Sequence, residues 1–119
     1  MTLVKTEFGK IVAGYTHYPW NHARIGYVND TNCRAFLLSL DLKEKMMPDK
    51  NGDKLIYCKP EYGPSFGWGD LMISDGCNKN KDSYANFPTT YHCEGLKAEK
   101  NQASFKAFVG VTKGNNFKV

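Results

Sequence analysis

An all-β or β-rich sandwich is the fold class the sequence predicts, on three observations. Six or seven short apolar segments lie along the chain with turn-forming residues between them. Eleven glycines and a 13% aromatic fraction punctuate those segments, as in sandwiches built from short strands. Only two stretches hold enough helix formers to compete. The 119 residues suit a single core and a single domain, 1–119. The 41% hydrophobic and 24% charged fractions belong to a folded globular chain, and no repeat or linker divides it.

The elements follow in order. Thr2 to Thr6 and Lys10 to Tyr15 read as strands around Glu7-Phe8-Gly9, a hairpin in which Gly9 can take positive φ. Asn29 to Asn32 reads as a surface loop. Ala35 to Leu40 is an almost unbroken apolar run, expected for a strand buried on both faces. Asp49 to Asp53 is a polar turn whose Asn51-Gly52 pair suits type I′ geometry, and Leu55 to Cys58 is the strand after it. Ser65 to Phe66 and Asp70 to Ser74 are short strands set off by Gly63, Gly67 and Gly69. Asn78 to Asn86 reads as a long surface loop. Lys106 to Thr112 and Phe117 to Val119 close the chain as strands joined through Gly114-Asn115-Asn116. The helical candidates are Asn32 to Phe36 and Glu94 to Ser104, the second weakened by Gly95 and its polar run.

Charge and motif spacing exclude several functions. The net charge of +4 comes from 14 Lys and only two Arg, Arg24 and Arg34, against 12 acids. Scattered lysines without arginine forks argue against nucleic acid as a partner. Cys33, Cys58, Cys77 and Cys93 contain no Cys-x-x-Cys pair, so neither a zinc knuckle nor another metal site is expected. Cys58 reads as a small core residue. Asp49 to Asp53 resembles the start of a calcium loop, but its twelfth position is Pro60 rather than Glu. Gly63 to Asp70 lacks the Gly-Lys-Ser/Thr ending of a phosphate loop. Ser65 sits in Gly-Pro-Ser-Phe-Gly, where Pro64 cannot donate an amide to an oxyanion hole. His17, His22 and His92 have no partnered nucleophile. No catalytic residue and no cofactor is therefore assigned. With no apolar stretch near the roughly 20 residues of a membrane span and no secretory signal, the expectation is an intracellular protein with free thiols, soluble or peripheral on an organelle or large complex.

Two tryptophans mark the surface most worth testing. Trp20 follows Tyr18-Pro19 and precedes Asn21-His22, and Trp68 lies between Gly67 and Gly69, so both stand in turn-forming surroundings. Tryptophan is enriched at binding hot spots, which makes Trp20, His22 and Trp68 the candidate interface. The competing reading has each indole capping the core with its N–H satisfied.

The stretch Phe8-Gly9-Lys10-Ile11-Val12-Ala13-Gly14-Tyr15-Thr16, continuing to Pro19-Trp20, resembles the Gly-hydrophobic-hydrophobic-Gly-Gly-Tyr/Phe-Thr segment of TLDc domains, the module of oxidation-resistance proteins. Asp30, Ala35 to Leu40, Gly63-Pro64-Ser65-Phe66-Gly67, Asp70 to Ile73, Asp75 to Asn78, Ser83, Asn86-Phe87 and Ala107 to Gly110 then follow in the family's order. The resemblance gives Gly9, Gly14, Tyr15, Gly63, Pro64, Phe66 and Gly67 structural roles. Ala13 stands where the family has the first Gly of its pair, a change tolerated unless that position needs positive φ. The chain opens at the family's Thr-Leu-x-Val-Lys strand and closes at Phe117-Lys118-Val119. It is thus expected to lack the family's N-terminal segment and final strand, leaving open edges and a marginally stable domain.

What the resemblance implies is a two-sheet antiparallel sandwich with few short flanking helices. It also implies a non-enzymatic protein-interaction domain that regulates or decorates a large assembly such as the vacuolar-type proton ATPase, in oxidative-stress protection. Two alternatives stand beside it: a structural accessory subunit of a ciliary, cytoskeletal or organellar complex, and a redox scavenger using one of the four thiols.

Overall fold

The structure, a computed structural model, describes residues 1–20, 25–93 and 100–119. Eleven strands and one helix are present among them: β1 (Thr2–Lys5), β2 (Ile11–Thr16), β3 (Gly26–Val28), β4 (Ala35–Ser39), β5 (Glu44–Pro48), β6 (Ile56–Cys58), β7 (Tyr62–Phe66), β8 (Leu71–Ser74), β9 (Ser83–Tyr84), β10 (Tyr91–His92), α1 (Gln102–Val109) and β11 (Asn116–Phe117). They form two antiparallel sheets, ordered β1-β2-β4-β5-β10 and β11-β9-β8-β7-β6-β3. The β-rich sandwich expected from the sequence is the observed architecture.

Alternation in the strands places the core between the sheets. Val4, Val12, Leu37 and Met46 point inward from the first sheet, and Ile56, Phe66, Leu71, Ile73 and Phe117 from the second. The two layers meet closely at Gly14. A Cβ there would lie 2.3 Å from Cε2 and Cζ of Phe66, so the Phe66 ring fills the space that glycine leaves. Ala13 is buried and has no positive φ, so the Gly-to-Ala difference is accommodated. Gly9, with φ +80, makes the expected β1–β2 turn.

Several expectations are corrected. Ala35 to Leu40 is not buried on both faces: Ala35, Leu37 and Ser39 point inward, Phe36 and Leu38 are half-buried, and Leu40 is exposed. The stretch from Asn32 to Phe36 is not helical but runs into β4. Asn51-Gly52 is not a type I′ hairpin, since Gly52 has φ +65 but Asn51 does not join it. This turn instead links β5 and β6, which lie in different sheets. Lys106 to Thr112 is not a strand. Its first residues belong to α1, where the Asn101 side chain accepts the Ser104 N–H at the start and Gly110, with φ +92, ends it. Of the Glu94 to Ser104 candidate, residues 94–99 lie outside the described residues, and the helix begins at Gln102. The Asn78 to Asn86 loop contains β9. β3, β5 and β10 have no counterpart among the expected strands, and His92 lies in β10.

Candidate functional site

Trp68 sits at the tip of the turn from β7 to β8. Gly67 and Gly69 flank it with φ +66 and +81, values that an L side chain rarely adopts. A Cβ at Gly67 would also come within 2.1 Å of Asp70 Oδ1. That carboxylate anchors the turn. Fully buried, Asp70 accepts N–H bonds from Thr89 (2.7 Å), Thr90 (2.9 Å) and Tyr91 (3.0 Å). Thr90 Oγ1 accepts the Trp68 N–H at 3.0 Å, Leu55 O accepts the Gly67 N–H at 2.9 Å, and Gly69 O accepts the Asn86 N–H at 2.8 Å. The indole itself is 60% exposed on this braced turn.

Trp20 has a different setting. It is half-buried, edge-on to Phe66 at 5.4 Å. The segment before it is tied down by Asp30, whose Oδ2 accepts the Tyr18 hydroxyl and Arg34 Nε (2.9 Å) while Oδ1 accepts the Asn32 N–H (3.0 Å). Arg34 Nη2 closes the ring by donating to the Tyr18 oxygen at 3.1 Å. The Tyr18 hydroxyl above all, then Arg34 and the Asn32 amide, hold the Asp30 carboxyl well below its ordinary value of 3.8. A lowered folded-state value gives a contribution that is complete above 3.8 and lost as pH falls through the folded-state value. Urea midpoints taken from about pH 6 down to about pH 2 are therefore expected to fall less steeply for Asp30→Asn than for the parent. Equal slopes would show that ionisation of Asp30 is not linked to folding.

Of the candidate interface, Trp68 is presented to solvent and Trp20 braces the core, while His22 lies outside the described residues. The two tryptophans are joined by a feature that sequence reasoning missed. Tyr57 and Tyr62, 5.9 Å apart, stand between them. On one side Trp20, Tyr57, Lys59, Tyr62 and Pro64 line a hollow of about 180 Å3. On the other, Tyr27, Tyr57, Tyr62, Ser65, Trp68 and Tyr84 line a groove of about 410 Å3. The signal in the sequence was the alternation Ile56-Tyr57-Cys58, which turns one aromatic outward between two core residues.

His92 Nε2 lies 2.8 Å from Asp49 Oδ1. His17 is exposed and edge-on to Tyr18. The four cysteines are unpaired, Cys58 and Cys93 being buried and Cys33 and Cys77 half-buried. Cys33 Sγ faces the Asp49 carbonyl at 3.4 Å, and Cys93 Sγ faces Glu44 Oε2 at 3.4 Å. Among the described residues, no three His, Cys, Asp or Glu side chains gather as a metal-holding group, and no helix is long and apolar enough to cross a membrane.

A family model described as TLDc domain matches residues 1–108. The chain belongs to the TLDc family. No curated protein and no solved structure matches it. Within this TLDc domain two of the family-motif residues, Gly14 and Phe66, meet where the sheets touch. Gly14 receives the Phe66 ring, Gly63 lies against the Ile73 carbonyl, and Gly67 opens the Trp68 turn. Tyr15 stacks on Phe36 at 5.0 Å across β2 and β4, and Pro64 borders the smaller hollow. The TLDc motif thus positions β7 and the turn that follows it.

Proposed function

We propose that this TLDc domain is a non-enzymatic protein-interaction module that regulates or decorates a large assembly such as the vacuolar-type proton ATPase, in oxidative-stress protection. The observation that carries the proposal is the exposed Trp68 on a rigid turn. Two left-handed glycines and a buried carboxylate hold this large aromatic side chain in water, and it belongs to a contiguous aromatic patch rather than standing singly on the surface. It is the kind of anchor that binding hot spots use. Membership of the TLDc family favours a protein partner over a small substrate.

Alanine variants of the two tryptophans test the proposal, because their surroundings differ. Trp68→Ala is expected to change folding stability by no more than about 0.5 kcal/mol and to weaken binding to the purified ATPase by at least about 2 kcal/mol. Trp20→Ala removes a ring packed on Phe66 and is expected to cost about 2 kcal/mol or more of stability. Denaturant melts and direct binding measurements on both variants separate the two roles. Unchanged binding by Trp68→Ala would refute the assignment of this turn as the contact.

A further inference from the structure

We propose that the tyrosine-walled groove on the outer face of the six-stranded sheet docks an extended, acidic, proline-bearing segment of a protein partner. This rests on the reading of the domain as an interaction module, and it names the surface and the chemistry that the surface selects.

Strand register builds the groove. Tyr27 faces Tyr57 across β3 and β6, and Ile56 faces Phe66, which sets Tyr57 beside Ser65. Ser65 faces Met72, and Met72 faces Tyr84. One transverse row therefore runs Tyr27, Tyr57, Ser65, Met72, Tyr84 on the face opposite the core. Ser65 is the small residue in the middle, so the row dips there into the 410 Å3 groove, with Trp68 also in its lining. The Tyr57 and Tyr62 rings form a wall shared with the 180 Å3 hollow beside Trp20 and Pro64. Paired hollows divided by aromatic rings suit a polyproline II segment, whose rings pack between aromatics and whose solvated carbonyls accept bonds from tyrosine hydroxyls.

Charge complementarity supplies the acidic requirement. Lys54 Nζ lies 4.7 Å from the Trp68 ring centre and 5.7 Å from that of Tyr27, Lys59 Nζ lies 4.9 Å from that of Tyr62, and Lys100 borders the groove. No carboxylate lines either hollow among the described residues. The nearby Glu61 is 70% exposed and only loosely paired with Lys59 at 3.7 Å. Lys54 also has φ +53, a left-handed conformation in which glycine or asparagine would be easier. Strain of that kind collects where a side chain is needed for a task, and here it holds an ammonium over the groove's exposed indole. The same lysines cover the ring faces that stacked bases would need, and Arg34 is committed to Asp30, so the observations favour a protein segment over a nucleic-acid strand.

Calorimetric titration of the chain with a synthetic proline–glutamate repeat peptide tests the proposal. Saturable binding that weakens with added salt is expected. Lys54→Glu is expected to lose at least about tenfold in affinity for that peptide and to gain affinity for a proline–lysine repeat. Tyr62→Ala, which opens the shared wall, is expected to weaken both pairings with an unchanged melting temperature. Equal binding by a glycine–glutamate repeat would overturn the proline assignment, and tighter binding by oligothymidylate would overturn the choice of partner. Peptide affinity insensitive to both variants would remove the groove as the site. If that occurs while Trp68→Ala still impairs binding to the assembly, the groove fails and the interaction function stands. Peptide binding that meets every expectation above without any binding to the assembly supports the groove and refutes the ATPase as partner.

Discussion

Replacing Asp70 with alanine is expected to destabilise the fold by about 3 kcal/mol or more, because three backbone donors lose their acceptor. Among the described residues the carboxylate has no cation as its hydrogen-bond partner. Its charge is met by three consecutive backbone N–H groups, those of Thr89, Thr90 and Tyr91, from a segment 19 to 21 residues away. Without it those donors have no acceptor, and each buried unsatisfied amide costs about 1 to 3 kcal/mol. Asparagine is a partial substitute, because its oxygen in the Oδ2 position can accept all three amides while its NH2 group would face the Thr90 N–H. Urea unfolding at neutral pH measures the loss. A cost below about 1 kcal/mol would show that the 88–91 segment finds another partner.

Asp70 also differs from Asp30 in the direction of its pH dependence. Burial pushes the Asp70 carboxyl above 3.8, and the Thr90, Thr89 and Tyr91 amides only partly oppose it. Between 3.8 and that raised value the folded protein keeps a proton that the unfolded chain has released. Its contribution is therefore full below 3.8 and declines as pH rises through this window, opposite to the contribution of Asp30.

The second large effect is expected where the sheets touch. Phe66→Ala should cost about 3 to 5 kcal/mol, since the ring is fully buried and Trp20 packs edge-on against it. Gly14→Val should cost about 1 to 3 kcal/mol, because the new side chain must displace that ring. Combined, the two changes should cost less than their sum by at least about 0.5 kcal/mol, as expected of residues in direct contact. Additive losses in a denaturant-based double-mutant cycle would show that Gly14 is needed for its backbone and not for the space it leaves.

Much of this was legible in neighbouring residues. The β1–β2 hairpin followed from two apolar runs around Gly9. Strand β5 was hidden because Glu44-Lys45-Met46-Met47-Pro48 begins with two charges and buries only Met46 and Pro48. Strands β3, β9 and β10 are two or three residues long, too short for any alternation to register. The second half of helix α1 was read as part of a strand, Lys106 to Thr112, because Phe108, Val109 and Val111 form an apolar series. The better signals were its ends, Asn101 before it and Gly110 after it. In the candidate site, Trp20 and Trp68 stood out by residue type and turn context. The tyrosines between them did not, since each is an ordinary strand residue until register aligns Tyr27, Tyr57 and Tyr84 on one face.

By itself the sequence determined the β-rich class, the family motif from Phe8 to Trp20 and the glycine turns around Trp68, all properties of residues within a few positions of one another. Only the tertiary structure decided that β6 leaves the sheet of β5 to pair with β3, that Asp70 captures the amides of residues 89–91, and that five aromatic side chains meet over Ser65. The physical reason is that propensity and turn chemistry act locally, whereas strand partnership is chosen by which faces can be buried together. In a two-layer sandwich that choice is made across the whole chain.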